Sequence, residues 1–391
     1  MEKIIVGGGR VILPGGTRDD VSLILEDGKI QAVVPSSTAG APDIDASGRY
    51  ISPGFMDIHV HGGGGHDFMD GTVEAFLGAA KMHAAHGTTS MLPTSMTCST
   101  EEQMQFFRTY REAKPLNTEG SEFLGIHMEG IFLSPQYAGA QDPSYLKPPV
   151  PENYMPFLEA SDDIVRVSAA PELEGAEGLG DELRRRGILA SIAHTGASAE
   201  QCREAHKAGF SLMTHLYCAM SSVVRKNAYR IAGAVEAAYL LDDMDVEIIA
   251  DGKHLPESLL TFVYKFKGPS RTVLCTDAMR AAGMPEGESI LGSLSNGQRV
   301  IVEDGVAKVP DRSTFAGSVA TADRLVRTMM RLSPATLEEA VTMMTATPAR
   351  VMGLSGKKGS IRMGMDADIV IFDDDINIYN TIIGGKVVYE G

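Results

Sequence analysis

The sequence predicts an α/β protein: a (β/α)8 TIM barrel with a small β-sandwich domain formed by both termini. Three observations predict it. The middle of the chain alternates strand-like and helix-like runs. Both ends are short Ile- and Val-rich runs broken by Gly and Asp turns. Histidines and carboxylates recur where the apolar runs of the middle stop.

The 391 residues suffice for one large barrel and a small second unit. Strand-like runs occupy 3–6, 10–13, 21–25 and 29–34, with a hairpin signal at Glu26-Asp27-Gly28. The last forty residues repeat the pattern at 359–364, 367–372, 379–383 and 386–389. Chain ends often meet in space, so 1–52 and 355–391 are expected to build one small β-sandwich domain. Within the remaining 53–354, a strand at 164–169 precedes a helix near 179–186. A strand at 189–194 precedes a helix at 199–208, and 211–215 ends another strand. The run 246–250 precedes a helix at 256–266, and 272–276 leads into Asp277. This rhythm suits a closed barrel better than an open doubly wound sheet. No Gly-x-Gly-x-x-Gly follows a strand, which argues against a dinucleotide fold.

Composition narrows the function. The formal net charge of −16 disfavours nucleic acid and anionic membranes as partners. Tryptophan is absent, which argues against stacking on bare sugars or single strands. A phosphorylated substrate stays compatible, because one Arg or a helix N-terminus binds phosphate even in an acidic protein. Cys98, Cys202, Cys218 and Cys275 form no Cys-x-x-Cys pair, so neither a zinc ribbon nor a redox motif is expected. Sparse cysteine and the lack of a leader-like N-terminus predict a cytoplasmic protein. No apolar run approaches the ~18–20 residues of a membrane span.

The strongest chemical signal is Pro53-Gly-Phe-Met-Asp-Ile-His59-Val-His61-Gly-Gly-Gly-Gly. Side chains alternate along a strand, so Asp57, His59 and His61 share a face. The glycines mark the strand's end, where barrel active sites are built. Two imidazoles there make half a metal site. Alone, the pair would equally suit solvent or backbone partners. Glu129 supplies a carboxylate at the end of the apolar run through Ile126. Buried there it needs a counter-charge, from a metal or from a Lys or Arg. His194 and His215 each close a strand-like run, about one βα unit apart. A single such histidine is commonly structural, but two in successive units face one barrel mouth together. Asp277 places a carboxylate at a late strand end, suited to a general base beside activated water. Imidazole plus carboxylate suits one or two divalent metal ions, zinc first, with iron, manganese, cobalt or nickel also compatible. Calcium does not fit this donor set.

In order along the chain, HVHGGGG, GIHMEG, AHTGAS, THLYCAM, ADGKHLP, CTDAM and FAGS resemble the N-acetylglucosamine-6-phosphate deacetylase branch of the amidohydrolase superfamily. The C-terminal segment is similar to the family's GxIxxGxxADxVxxD close. The resemblance implies that Glu129, His194 and His215 hold a primary metal, with His59 and His61 for a second. It implies Asp277 as catalytic acid/base and His254 as the group that binds substrate and polarises the acetyl carbonyl. Ala219 and Met220 would meet the sugar through their backbone, and Phe315 would line the site. It further implies a homodimer whose phosphate-binding Arg reaches across from the neighbouring subunit.

Three departures fall at substrate contacts. The family's Leu-Tyr-Asn-Ala-Met reads Leu216-Tyr-Cys218-Ala-Met, exchanging an amide for a thiol. Its Gly-x-His-Asn-Pro reads Gly139-Ala-Gln141-Asp142-Pro143, so a cationic phosphate contact becomes neutral. The Arg-bearing loop is displaced by one residue, so either Arg225 or Arg230 serves that role. Cys218 reads as a packing residue, since free cysteine behaves as a small hydrophobe. The reading is a metal-dependent amide hydrolase removing acetyl from an N-acetyl amino sugar, most simply N-acetylglucosamine-6-phosphate. A different N-acyl or cyclic amide on the same scaffold is the alternative.

Overall fold

The computed structural model describes residues 3–391. Eight parallel strands form a ring: Phe55–Val60, Thr88–Ser95, Ile126–Met128, Ile164–Ala169, Leu189–Ile192, Phe210–Met213, Asp245–Ile248 and Thr272–Leu274. Neighbours pair in chain order. The ring closes just beyond the eighth strand, through a parallel bridge between Val60 and Ala278. There the Asp277 N–H donates to the His59 carbonyl at 2.9 Å, and the His61 N–H to Ala278. These strands are largely buried because both faces of the ring are covered.

Helices pack outside, between the strands. Several begin at sites legible in the chain. Ser99 and Ser198 cap Thr100–Ala113 and Ala199–Ala208, each with a reciprocal Glu102 or Gln201 bond to the cap backbone. Gly187 and Gly209 end two helices in the left-handed region, where the absence of a Cβ removes the penalty. The apolar stripes of these helices and the strands make one continuous core, with Phe76, Phe106, Tyr110 and Phe210 among its largest members.

Both termini join in two sheets that share a second core. One sheet has four strands, among them Ile4–Gly7, Val21–Glu26 and Lys29–Pro35. The other has six, placing Arg10–Leu13 and Tyr50–Pro53 beside Ile369–Phe372, Ile378–Ile383 and Lys386–Glu390. Val6, Leu23, Ile30, Ile51, Ile369 and Ile382 are buried between them. The strand expected at 359–364 does not form. That segment is a turn in which Ile361 still reaches the core and Gly359 backs onto the helix Ala346–Val351; a Cβ there would meet Thr345 O at 2.7 Å. Its glycines and central Arg-Met fit a turn better than a ladder.

Two further elements lie outside the alternating rhythm. Gly287–Leu291, Gln298–Glu303 and Val306–Lys308 form an antiparallel sheet over one side of the barrel mouth. It packs through Leu291, Val300 and Val302 on Met96 and Met279. Val224–Lys226 and Tyr229–Ile231 form an exposed hairpin. Among the described residues no helix is long and apolar enough to cross a membrane.

Candidate metal and active site

The five positions expected to hold metal, His59, His61, Glu129, His194 and His215, converge at the C-terminal mouth of the barrel. Glu129 is the centre. Its Oε2 lies 3.3 Å from His59 Nε2 and 3.2 Å from His61 Nε2, while its Oε1 lies 3.4 Å from His194 Nε2 and 3.0 Å from His215 Nε2. Asp277 Oδ1 sits on the other side of the first pair, 3.5 Å from His59 Nε2 and 3.2 Å from His61 Nε2. Among the described residues three groups could hold an ion: His59–His61–Asp277 and Glu129–His194–His215 at the cavity, and His59–Glu247–Cys275, whose Glu247 and Cys275 do not line it.

The backbone helps to aim these groups. His194, His215 and Asp277 each leave a strand at positive φ, 44°, 29° and 45°, a region most L-residues avoid. Such strain is found where surrounding structure demands it, often at functional sites.

Hydrogen bonding tests whether the residues suit a cation. His61 Nδ1 lies 3.2 Å from the Thr94 carbonyl, His194 Nδ1 lies 2.9 Å from the Tyr137 carbonyl, and His59 Nδ1 lies 3.1 Å from Glu247 Oε2. These partners only accept, so each Nδ1 carries the proton and each Nε2 presents a lone pair. The Nε2 atoms of His59 and His61 are 3.3 Å apart, facing one another and two carboxylates. Lone pairs and carboxylate oxygens gathered this closely need a cation between them. With protein charges alone, protons would fill that place. Burial opposes a charged His61, but Asp277 and Glu129 carry its pKa to about 9. Burial likewise opposes a charged Glu129, but the His59 field and bonds from His194 and His215 hold it well below the usual range.

A cavity of about 240 Å³ opens above the cluster, lined by Glu129, His194, His215, Cys218, His254 and Phe315 among others. His254 is oriented by Asp251, whose Oδ2 lies 2.8 Å from Nδ1, leaving Nε2 toward the cavity beside the Phe315 ring. Gln141 is turned toward the centre: its Oε1 accepts the Thr97 N–H at 2.8 Å and its Nε2 donates to Glu129 Oε2 at 3.3 Å. Cys218 and Ala219 line the wall, and the Thr195 N–H donates to the Ala219 carbonyl. Met220 bridges to Thr195 in a short parallel contact and is not among the lining residues. Burial pushes the Cys218 thiol up, and Cys218 joins none of the candidate ligand sets. Among the described residues no Lys or Arg lines the cavity; Arg225 and Arg230 pair across the exposed hairpin outside it.

Asp57, which shares the strand face of the two histidines, bonds instead to the Thr276 hydroxyl and amide. It ties the first strand to the eighth, and burial pushes its pKa up to about 7. A buried polar layer beneath the histidines was missed from the sequence: Arg166, Glu247, His127, Ser168, Ser191 and Thr214. The signal was present, since a charge in the middle of an apolar run, as in Ile-Val-Arg166-Val and Val-Glu247-Ile, must find a partner.

Comparison with known proteins agrees with this geometry. The pattern of the amidohydrolase family matches residues 50–388. The chain belongs to the amidohydrolase family. This amidohydrolase is 35% identical to the N-acetylglucosamine-6-phosphate deacetylase of Lysinibacillus sphaericus over 98% of its own length and 97% of the relative's. It is 30% identical to an N-acetylgalactosamine-6-phosphate deacetylase of Escherichia coli O157:H7, covering 97% of both chains. Its backbone superposes with a TM-score of 0.91 on a mutant N-acetyl-D-glucosamine-6-phosphate deacetylase from Mycobacterium smegmatis, solved with N-acetyl-D-glucosamine-6-phosphate. That pair is 28% identical and covers 99% of this chain and 100% of the other. The protein is thus a hydrolase on a TIM-barrel amidohydrolase scaffold with residues grouped to bind metal.

Proposed function

We propose that this amidohydrolase removes the acetyl group from N-acetylglucosamine-6-phosphate, giving glucosamine-6-phosphate and acetate. The observation that carries the reading is Glu129 shared by two imidazole pairs with Asp277 opposite, in a chain whose whole-length relatives are amino-sugar-phosphate deacetylases. Glu129, His194 and His215 would hold one divalent ion, and His59, His61 and Asp277 the place for a second, with zinc the first choice for this donor set. Such an ion supplies Lewis acidity toward the acetyl carbonyl and toward water.

The chain's own groups do the rest. Asp277 Oδ1 lies 3.5 Å from His59 Nε2 and 3.2 Å from His61 Nε2, where it would take a proton from the attacking water. It returns that proton to the amine nitrogen as the C–N bond breaks. His254 Nε2 would bind the substrate and polarise the acetyl carbonyl, the Ala219 backbone would meet the sugar, and Gln141 is the neutral residue at the expected phosphate contact. Among the described residues the cavity offers no Lys or Arg to a phosphate. We therefore assign phosphate to Arg225 or Arg230 of a neighbouring copy, in a homodimer. The β-rich ends, 1–52 and 355–391, act as a separate structural unit in this reading.

Chelator-treated protein should release no acetate from N-acetylglucosamine-6-phosphate, and zinc should restore release. Full activity without any bound divalent ion would refute the reading.

A further inference from the structure

Directly beneath the metal-ligand cluster, Arg166 and Glu247 form an ion pair with both side chains fully buried. Arg166 Nη1 lies 2.7 Å from Glu247 Oε1 and Nη2 lies 2.9 Å from Oε2, a two-pronged contact. The remaining donors of Arg166 are also used. Nε donates to Ser191 Oγ, Nη1 to the Ile58 carbonyl and Nη2 to Thr214 Oγ1. The guanidinium thus ties the first, fourth, fifth, sixth and seventh strands together, and its position is fixed. Glu247 in turn has one further partner, the Nδ1 of His59.

The other three rings are held differently. His61 and His194 rest on backbone carbonyls, and His215 Nδ1 has no hydrogen-bond partner. Of the four proposed metal-ligand imidazoles only His59 has its Nδ1 on a charged side chain. A buried ion pair is a weak source of stability, since apolar residues of similar volume often serve as well. What apolar residues cannot supply is an oriented carboxylate under one particular ring.

We propose that Arg166 and Glu247 are positioning residues for His59. Arg166 fixes the Glu247 carboxylate, which holds the His59 proton on Nδ1 and keeps Nε2 as a lone-pair donor. Their effect falls on the His59–His61–Asp277 set and leaves the Glu129–His194–His215 set alone. The proposal rests on the metal-centre reading above.

The test is zinc affinity, measured by competition with a graded chelator and by metal content. His59→Asn identifies the His59-dependent class of sites. Glu247→Gln should weaken that class by about 10–100-fold, the usual effect of losing a partner behind a ligating histidine. Binding dependent on His194 and His215 should change by less than about threefold, well short of that effect. If Glu247→Gln unfolds because Arg166 is left unpaired, the double variant Arg166→Met, Glu247→Gln removes both charges and carries the same expectation. Wild-type affinity in a folded variant, or equal weakening of both classes, overturns the proposal. A wild-type chain that takes up no zinc overturns the metal reading itself, which separates the two failures.

Discussion

The amide of Asp277 donates to the carbonyl of His59 at 2.9 Å, so the contact that closes the barrel also joins the proposed base to a proposed metal ligand. The Asp277 carboxylate is placed by backbone and needs no flexible loop to carry it. Asp277→Asn keeps that backbone bond while removing the basic oxygen. Turnover should fall by about 10²–10⁴-fold, the range for loss of a general acid/base. Metal held by Glu129, His194 and His215 should stay. Steady-state acetate release beside metal analysis checks both.

His83 gives a pH dependence independent of the metal ligands. It is fully buried, its Nε2–H donates to the Gly62 carbonyl at 2.9 Å, and burial pushes its pKa down to about 4. The folded state therefore binds fewer protons than the unfolded state between pH 4 and an unfolded value of about 6.5. Stability from this group is fully present above pH ~6.5 and is lost as pH falls toward 4. The loss reaches about 3 kcal/mol. Asp57, whose pKa burial raises to about 7, shifts stability the other way in the same window, so the check is a difference: in denaturant titrations of chelator-treated protein, wild type and His83→Gln should differ in their slope of stability against pH by about one proton.

Arg280 secures the sheet over the mouth. It pairs with Asp70 through both terminal nitrogens, at 2.9 and 2.6 Å, and also donates to the carbonyls of Gly65, Ile290 and Gly292. Removing one member of a buried pair leaves the other uncompensated, so Arg280→Met should cost about 3–5 kcal/mol in chemical denaturation.

Two glycines should behave oppositely. A Cβ at Gly62 would lie 2.2 Å from the His66 carbonyl oxygen, which is backbone and cannot step aside. Gly62→Ala should displace the turn after His61 and lower zinc uptake. At Gly178, inside the helix Ala176–Arg186, a Cβ would meet nothing within 4 Å. Gly178→Ala should stabilise by about 0.5–1 kcal/mol, because alanine loses less conformational freedom in a helix. Melting curves of the two variants test the contrast.

Much of this was legible in the chain because two periodicities carry it. Alternation placed His59 and His61 on one strand face, and the βα rhythm put His194, His215 and Asp277 at strand ends. Whatever depends on strand-to-strand register was not legible. Asp57 shares the face of His59 yet bonds across the closure to Thr276, because the eighth strand arrives beside it. Arg166 and Glu247 are 81 residues apart and meet only once the barrel is closed. The mouth sheet from Gly287 to Lys308 breaks the barrel rhythm, and only its packing on Met96 and Met279 reveals its place. The expected strand at 359–364 failed because apolar content there serves a single buried side chain, Ile361, and no ladder.

The most direct test of the central claim is acetate release by zinc-loaded protein from N-acetylglucosamine-6-phosphate, run beside N-acetylgalactosamine-6-phosphate and unphosphorylated N-acetylglucosamine. The account predicts that N-acetylglucosamine-6-phosphate is turned over with the highest kcat/KM and that its unphosphorylated form is poor. No acetate from any of the three, with metal fully bound, would contradict it and direct attention to Gln141 and Cys218.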